Sequence, residues 1–321
     1  MILVGILAGA SLIVGCGAGY LWYKRTNSLS PHLPEAGGVA PFETLPSGQM
    51  LYSFNYENRH PRDYELAYST RKSCYTYHDE PLDYVGEAVE QCFKPFDEPY
   101  YSKKKAQENS LSDVEIRERW HAENDEAQRV GLFMHRQMNN RLLDKPFQVS
   151  MAYSYVTEHT KISKLISIAP EMNQFQQFLS ENELHPYRSM WTVFDEESRL
   201  ASTVDLLAVN GEGKYVVYNW TRSHTLGEET IEGYLVNNAN YGSYGEGPFR
   251  HIPDSPFHRE ALQMSLLCDI LRRKYGIDVV SAHTAVFYSE NMRYHIVDLP
   301  MMADAVALIL RYRQTAPSEA D

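Results

Sequence analysis

An α/β fold is predicted for this chain: helices flank a sheet, and one N-terminal transmembrane helix precedes them. Two observations carry the prediction. Residues 2–23 contain no charged side chain and are closed by Lys24 and Arg25. At about 1.5 Å per residue such a run is long enough to cross a hydrocarbon core as a helix. Further along, segments with helical periodicity alternate with strand-like runs in the order α–βββ–α–ββ–α, the pattern of a layered α/β domain.

The anchor comes first. Tyr20, Trp22 and Tyr23 lie where aromatic side chains favour the membrane interface, and Lys24 and Arg25 follow just beyond. A cleaved secretory signal fits less well, because no basic residues precede the apolar run and the run is too long. Gly5 and Gly9, then Gly15 and Gly19, repeat at a spacing of four, which lets another membrane helix approach closely. The cationic flank follows the span, so the large domain is expected on the cytoplasmic or matrix-like side.

Residues 26–69 read as a linker or extended arm, rich at first in Pro, Gly and Ser. Residues 51–101 are dense in tyrosine, which combines apolar area with a polar tip. They suit either a contact surface for a partner or an extension draped over the chain's own domain. Lys103, Lys104 and Lys105 read as a solvated loop. Residues 112–143 are predicted as a helix, opened by a capping box of Ser112 and Glu115. A second helix is expected over 165–182. Strands are expected at about 188–195, 199–209 and 214–221, with a turn at Asn210-Gly211-Glu212-Gly213. Residues 237–256 read as a loop and 259–275 as a helix capped by Gly276. A second hairpin, 279–288 with 293–299, and a last helix over 301–313 complete the domain, taken as 70–313 with a tail to 321.

Three of these segments resemble the catalytic core of the PD-(D/E)XK nuclease superfamily, in the branch of large DNA viruses and protists. They are Arg188-Ser189-Met190-Trp191, Ala201 to Leu207 with Asp205, and Asn219-Trp220-Thr221. Trp120, Ala127, Gly131 and His135 are similar to that branch's first helix, and Gln263 to the inward glutamine of a later one. The resemblance covers roughly residues 70 to 313 and implies a mixed sheet between helices. In the superfamily an acid on one strand and an acid-X-Lys triplet on the next hold a divalent metal and steady a water. Here the helix glutamate falls at Asn139, the strand glutamate at Met190, the triplet acid at Asn219 and the triplet lysine at Thr221. A hard cation that prefers several anionic oxygens is left with Asp205. The resemblance therefore implies a nuclease fold without its reaction, and Asn139, Met190, Asp205, Asn219, Thr221 and Gln263 as relic positions.

Charge points the same way. Lys and Arg total 30 against 42 Asp and Glu, a formal net charge of -12, whereas a phosphate-tracking protein concentrates positive charge on its binding face. No nucleic-acid partner is expected. Cys16, Cys74, Cys92 and Cys268 contain no C-x-x-C unit, so no zinc site is expected; Cys74 and Cys92 are read as free thiols, with a disulfide between them as the alternative. No metal or cofactor is expected. The expected role is a structural or accessory subunit, with the lipid bilayer and subunits of a membrane complex as partners. A protist mitochondrial inner-membrane complex is the preferred setting and a viral membrane or capsid assembly the next. Two alternatives remain. One is an active nuclease with a migrated site, in which Asp205 is joined by Glu228, Glu229 or Glu232, or by Asp195 and Glu196. The other is a nucleic-acid tether that binds without cutting.

Overall fold

The computed structural model describes residues 40–157, 160–223 and 243–315. The expected anchor, with Gly5, Gly9, Gly15, Gly19, Tyr20, Trp22, Tyr23, Lys24 and Arg25, lies outside the described residues, as do Glu228, Glu229 and Glu232. Among the described residues no helix is long and apolar enough to cross a membrane.

The centre is a mixed α/β layer. Strands β1 (Glu43–Thr44) and β2 (Met50–Leu51) form a small ribbon before helix α1 (Ser53–Glu57) and a 3-10 turn, Pro61–Tyr64. A three-stranded sheet follows: β3 (Leu66–Ser69), β4 (Cys74–Tyr77) and β5 (Glu80–Pro81). Then come β6 (Asp83–Tyr84), α2 (Val85–Glu90), α3 (Glu98–Asn109) and α4 (Asp113–Leu142). A hairpin of β7 (Ser150–Val156) and β8 (Lys161–Ser167) leads into α5 (Ala169–Glu181). The main sheet is completed by β9 (Leu184–Asp195), β10 (Leu200–Asn210) and β11 (Tyr215–Thr221). Helix α6 (Pro256–Tyr275), β12 (Val279–Val286), β13 (His295–Leu299) and α7 (Ala303–Thr315) end the described chain.

The main sheet runs β13-β12-β11-β10, with β9 antiparallel along one side of β10. The other side of β10 is shared. β11 pairs antiparallel with its C-terminal half, from Leu206↔Tyr218 to Val209↔Tyr215. β6 pairs in parallel with Leu200 and Ala201. Between these partners β10 has a gap that ends at Asp205. β11 and β12 are parallel, joined through α6, and β13 returns antiparallel. Gly213 at φ +76 supplies the left-handed turn of the β10–β11 hairpin, and Gly276 at φ +66 closes α6.

Each face of the sheet carries its own core. On one, α2, α6 and α7 cover Val204, Leu207 and Val217 with Val89, Leu262, Leu266, Ile270, Val306 and Ile309. On the other, α4 and α5 cover Leu206, Ala208, Tyr218 and Trp220 with Met134, Met138, Phe175 and Phe178. The second core is aromatic. Trp220 lies edge-on to Phe175 and Phe178 with ring centroids 5.4 and 5.5 Å apart, an arrangement that adds about 0.5–1.5 kcal/mol per pair beyond area burial.

Several expectations need correction. The helix expected from residue 165 begins at Ala169, because Pro170 in its first turn fits only a helix start; Leu165 belongs to β8, paired with Ala152. Lys103, Lys104 and Lys105 lie inside α3, whose Asp97 cap accepts the Tyr100 N–H at 3.0 Å. The tyrosine-rich segment is largely draped over its own chain: Tyr52 and Tyr84 are buried, and Tyr77 packs on Phe194. Tyr64, Tyr100 and Tyr101 remain exposed. The arm, too, is docked from its latter half, with Leu51, Asn55, Asp63 and Leu66 buried. Cys74, Cys92 and Cys268 are free thiols, so the Cys74–Cys92 disulfide does not form.

Candidate functional site

Met190 and Asp205, two of the positions singled out in the sequence, lie opposite each other where the gap beside β10 ends. Pairing between β9 and β10 runs Val204↔Trp191 and then Leu206↔Ser189, and Met190, between these partners, has a left-handed φ of +47, uncommon for a non-glycine residue. Its carbonyl accepts the Gln49 Nε2 hydrogen at 2.7 Å. Asp205 faces this irregularity. Val204 packs in the α6-side core and Leu206 in the α4-side core, so the strand's alternation breaks at the aspartate.

The Asp205 side chain is buried and already engaged. Its Oδ2 accepts the Trp220 backbone N–H at 3.0 Å, which caps the end of the β10–β11 ladder. Its Oδ1 lies 3.5 Å from His135 Nδ1 on α4, and both side chains are buried. One helical turn on, Asn139 Oδ1 accepts the Ser189 hydroxyl at 2.7 Å. Ser189 in turn donates its N–H to Asn55 Oδ1 at 2.8 Å, and Asn55 Nδ2 donates to the Ser189 carbonyl and hydroxyl, each at 3.2 Å. A glutamate at 139 would place a charge in this amide chain; asparagine keeps it neutral.

On the opposite face Asn219 Nδ2 donates to Glu260 Oε1 at 2.6 Å. Glu260 was not anticipated from the sequence. It precedes the buried Gln263 by three positions on α6, and so shares its face of the helix. That spacing was the signal available. Thr221 ends β11, and its carbonyl accepts the Phe287 N–H at 2.8 Å. The following residue, Arg222, turns to the buried Glu171 of α5 at 2.8 Å.

The donor set does not fit a hard divalent cation. Asp205 is tied to a backbone N–H, the flanking positions hold carboxamides, and among the described residues no group of three or more His, Cys, Asp or Glu could hold a metal. Asp195 and Glu196 do not join Asp205. Asp195 pairs with Leu200, five residues or about 16 Å along the strand from Asp205, and both acids face cations. Arg273 and Lys274 reach Asp195 at 2.9 and 3.1 Å, and Arg62 and Lys274 reach Glu196 at 2.5 and 3.2 Å. Burial alone would raise the Asp195 carboxyl; hydrogen bonds from Ser198, Arg273 and Lys274 outweigh it and hold the group below the usual range. Burial pushes the Cys92 and Cys268 thiols up to about 12, so neither is a thiolate nucleophile near neutrality.

A second polar knot lies at the outer edge of β9. Arg188, fully buried, donates to Asp63 Oδ2 at 2.8 Å and to the Asn58 carbonyl at 2.9 Å. Trp191 Nε1 donates to Asp63 Oδ1 at 2.7 Å, and the guanidinium sits 4.4 Å over the Trp191 ring. β9 is therefore clasped by residues 49–63. No family model matches the chain, and no curated protein matches it either.

Proposed function

We propose that the chain is a catalytically inactive PD-(D/E)XK-like protein, held by an N-terminal transmembrane helix and acting as a structural or accessory subunit of a membrane assembly. A mitochondrial inner-membrane complex is the preferred setting. The observation that carries the reading is the engagement of the relic positions. Asp205 caps the Trp220 N–H, Asn139 holds Ser189, and Asn219 holds Glu260. These three side chains stand where the superfamily's hydrolytic groups would and bind neighbouring elements instead. The uncharged run of residues 2–23 supports the anchor. Fold does not fix function, so the reuse is argued from these contacts. Purification of the full chain from its native membrane in mild detergent tests the reading. Membrane-protein subunits should copurify in fixed ratio; a chain that purifies alone counts against it.

Glu260 favours a second reading. It is bound to Asn219 at the position of the triplet acid, where a metal-dependent nuclease with a migrated acid would need a carboxylate. Mn²⁺-dependent DNA cleavage lost in both Asp205→Ala and Glu260→Gln would establish it.

A further inference from the structure

The docked arm fixes more than the edge of β9. From Gln49 onward it is bound along that strand: Gln49 to the Met190 carbonyl at 2.7 Å, Asn55 to Ser189, Asn58 Nδ2 to the Tyr187 carbonyl at 3.2 Å, and Asp63 to Arg188 and Trp191; Phe42 is tied to it through its N–H bond to the Leu51 carbonyl at 2.9 Å. Arg62 adds an ion pair to Glu196. The arm is thus docked on the domain. Between Arg25 and Pro41 lie only residues 26–40. Even fully extended, a chain of that length reaches only about 50 Å. A membrane span ending at Arg25 therefore keeps Phe42 within about that distance of the bilayer surface.

The surface at that point suits a membrane interface. Phe42 is 67% exposed, although it is a large apolar side chain. Its ring lies 5.3 Å from that of Tyr56, and the Arg59 guanidinium sits 4.4 Å over the same tyrosine. Tyr64, 44% exposed, donates its hydroxyl to Glu43 Oε1 at 2.9 Å, and Arg59 faces the same carboxylate at 4.0 Å. The one acid inside the cluster is thereby matched. Aromatic rings with polar tips beside an arginine are the residues that settle at headgroup level. Exposed Glu57 and Glu65 border the cluster, which limits it to the headgroups. We infer that the face carrying Phe42, Tyr56, Arg59 and Tyr64 rests on the lipid headgroups, so that the arm sets which side of the domain meets the membrane. This rests on the transmembrane reading of residues 2–23.

The test uses the full chain in vesicles of phosphatidylcholine and phosphatidylglycerol containing headgroup-spin-labelled lipid. Cys16→Ser and Cys74→Ser leave only the buried Cys92 and Cys268, and a bimane probe is placed at Phe42→Cys or, separately, at Met292→Cys. Met292 is 91% exposed in the β12–β13 turn, at the opposite edge of the sheet, four strand spacings or about 20 Å from β9. Thr44→Cys provides a second exposed position beside Phe42. Quenching at positions 42 and 44 should exceed that at 292 several-fold, and aqueous acrylamide should show the reverse order. Equal lipid quenching at the three positions in vesicles that float with the protein would overturn the orientation and leave the anchor standing. Shielding of position 42 from both quenchers would also overturn it, since protein would then cover the patch. A chain that does not float with the vesicles overturns the anchor and this inference together.

Discussion

Removing the Asp63 carboxylate should release the arm and destabilise the whole domain. Asp63 accepts three hydrogen bonds: from Arg188 Nη1 at 2.8 Å, Trp191 Nε1 at 2.7 Å and the His60 N–H at 2.9 Å. In Asp63→Ala the fully buried Arg188 retains only the Asn58 carbonyl and the face of Trp191, while its Nε and Nη2 meet no acceptor among the described residues. Deleting one partner of a buried ion pair costs about 3–5 kcal/mol, against a typical domain stability of about 5–15 kcal/mol. Urea unfolding of the full chain in nonionic detergent, followed by the fluorescence of the buried Trp191 and Trp220, reads the loss. Arg188→Met in the same chain removes the orphaned charge, so the double variant should recover at least about 1–2 kcal/mol. A loss below about 1 kcal/mol for Asp63→Ala, or a double variant worse than the single one, would refute the argument that this pair clasps the arm.

Trp220→Ala should cost about 3–5 kcal/mol in the same assay, since the ring fills the aromatic core. Asp205→Ala should cost about 1–3 kcal/mol by orphaning the Trp220 N–H, and Asp205→Asn, which keeps an acceptor, should cost less. Acid should weaken the domain. The Asp195 and Glu196 carboxyls are held below their ordinary values by their cations and hydrogen bonds, against the opposing effect of burial. Their stabilisation is complete above the ordinary carboxylate range and is lost as pH falls below about 4; thermal unfolding scanned with pH should show that fall, and Asp195→Asn should flatten it. Gly9→Leu or Gly15→Leu should release the chain from its complex yet leave it in the membrane fraction, because bulk on that stripe separates two packed helices. Full retention of both variants would confine assembly to the soluble domain.

The element order was legible where side-chain periodicity matched burial. The β9, β10 and β11 strands combine β-branched and aromatic residues with a glycine turn, and α4 opens with its capping box in place, Ser112 Oγ accepting the Glu115 N–H at 3.1 Å. The β7–β8 hairpin was not legible. Its strands are half exposed, so Leu165 and Ile166 read as the start of the helix that Pro170 actually opens. The three-stranded sheet of β3, β4 and β5 was hidden for a related reason: its strands are short, and only Leu66 and Thr76 in them are buried. Within the site, Asp205, Asn139 and Asn219 were singled out by resemblance to a motif. The partners of the two asparagines were not, because Ser189–Asn139 and Asn219–Glu260 are contacts between residues 50 and 41 positions apart. Long-range pairing of this kind leaves no local pattern.

Calorimetric titration of the purified full chain with Mn²⁺ tests the central claim most directly. The claim is that Asp205, Asn219 and Asn139 hold strands and helices together and no longer hold a metal. It predicts no saturable site in the micromolar range, and heats unchanged by Asp205→Ala or Glu260→Gln. A saturable micromolar site abolished by either substitution would contradict it.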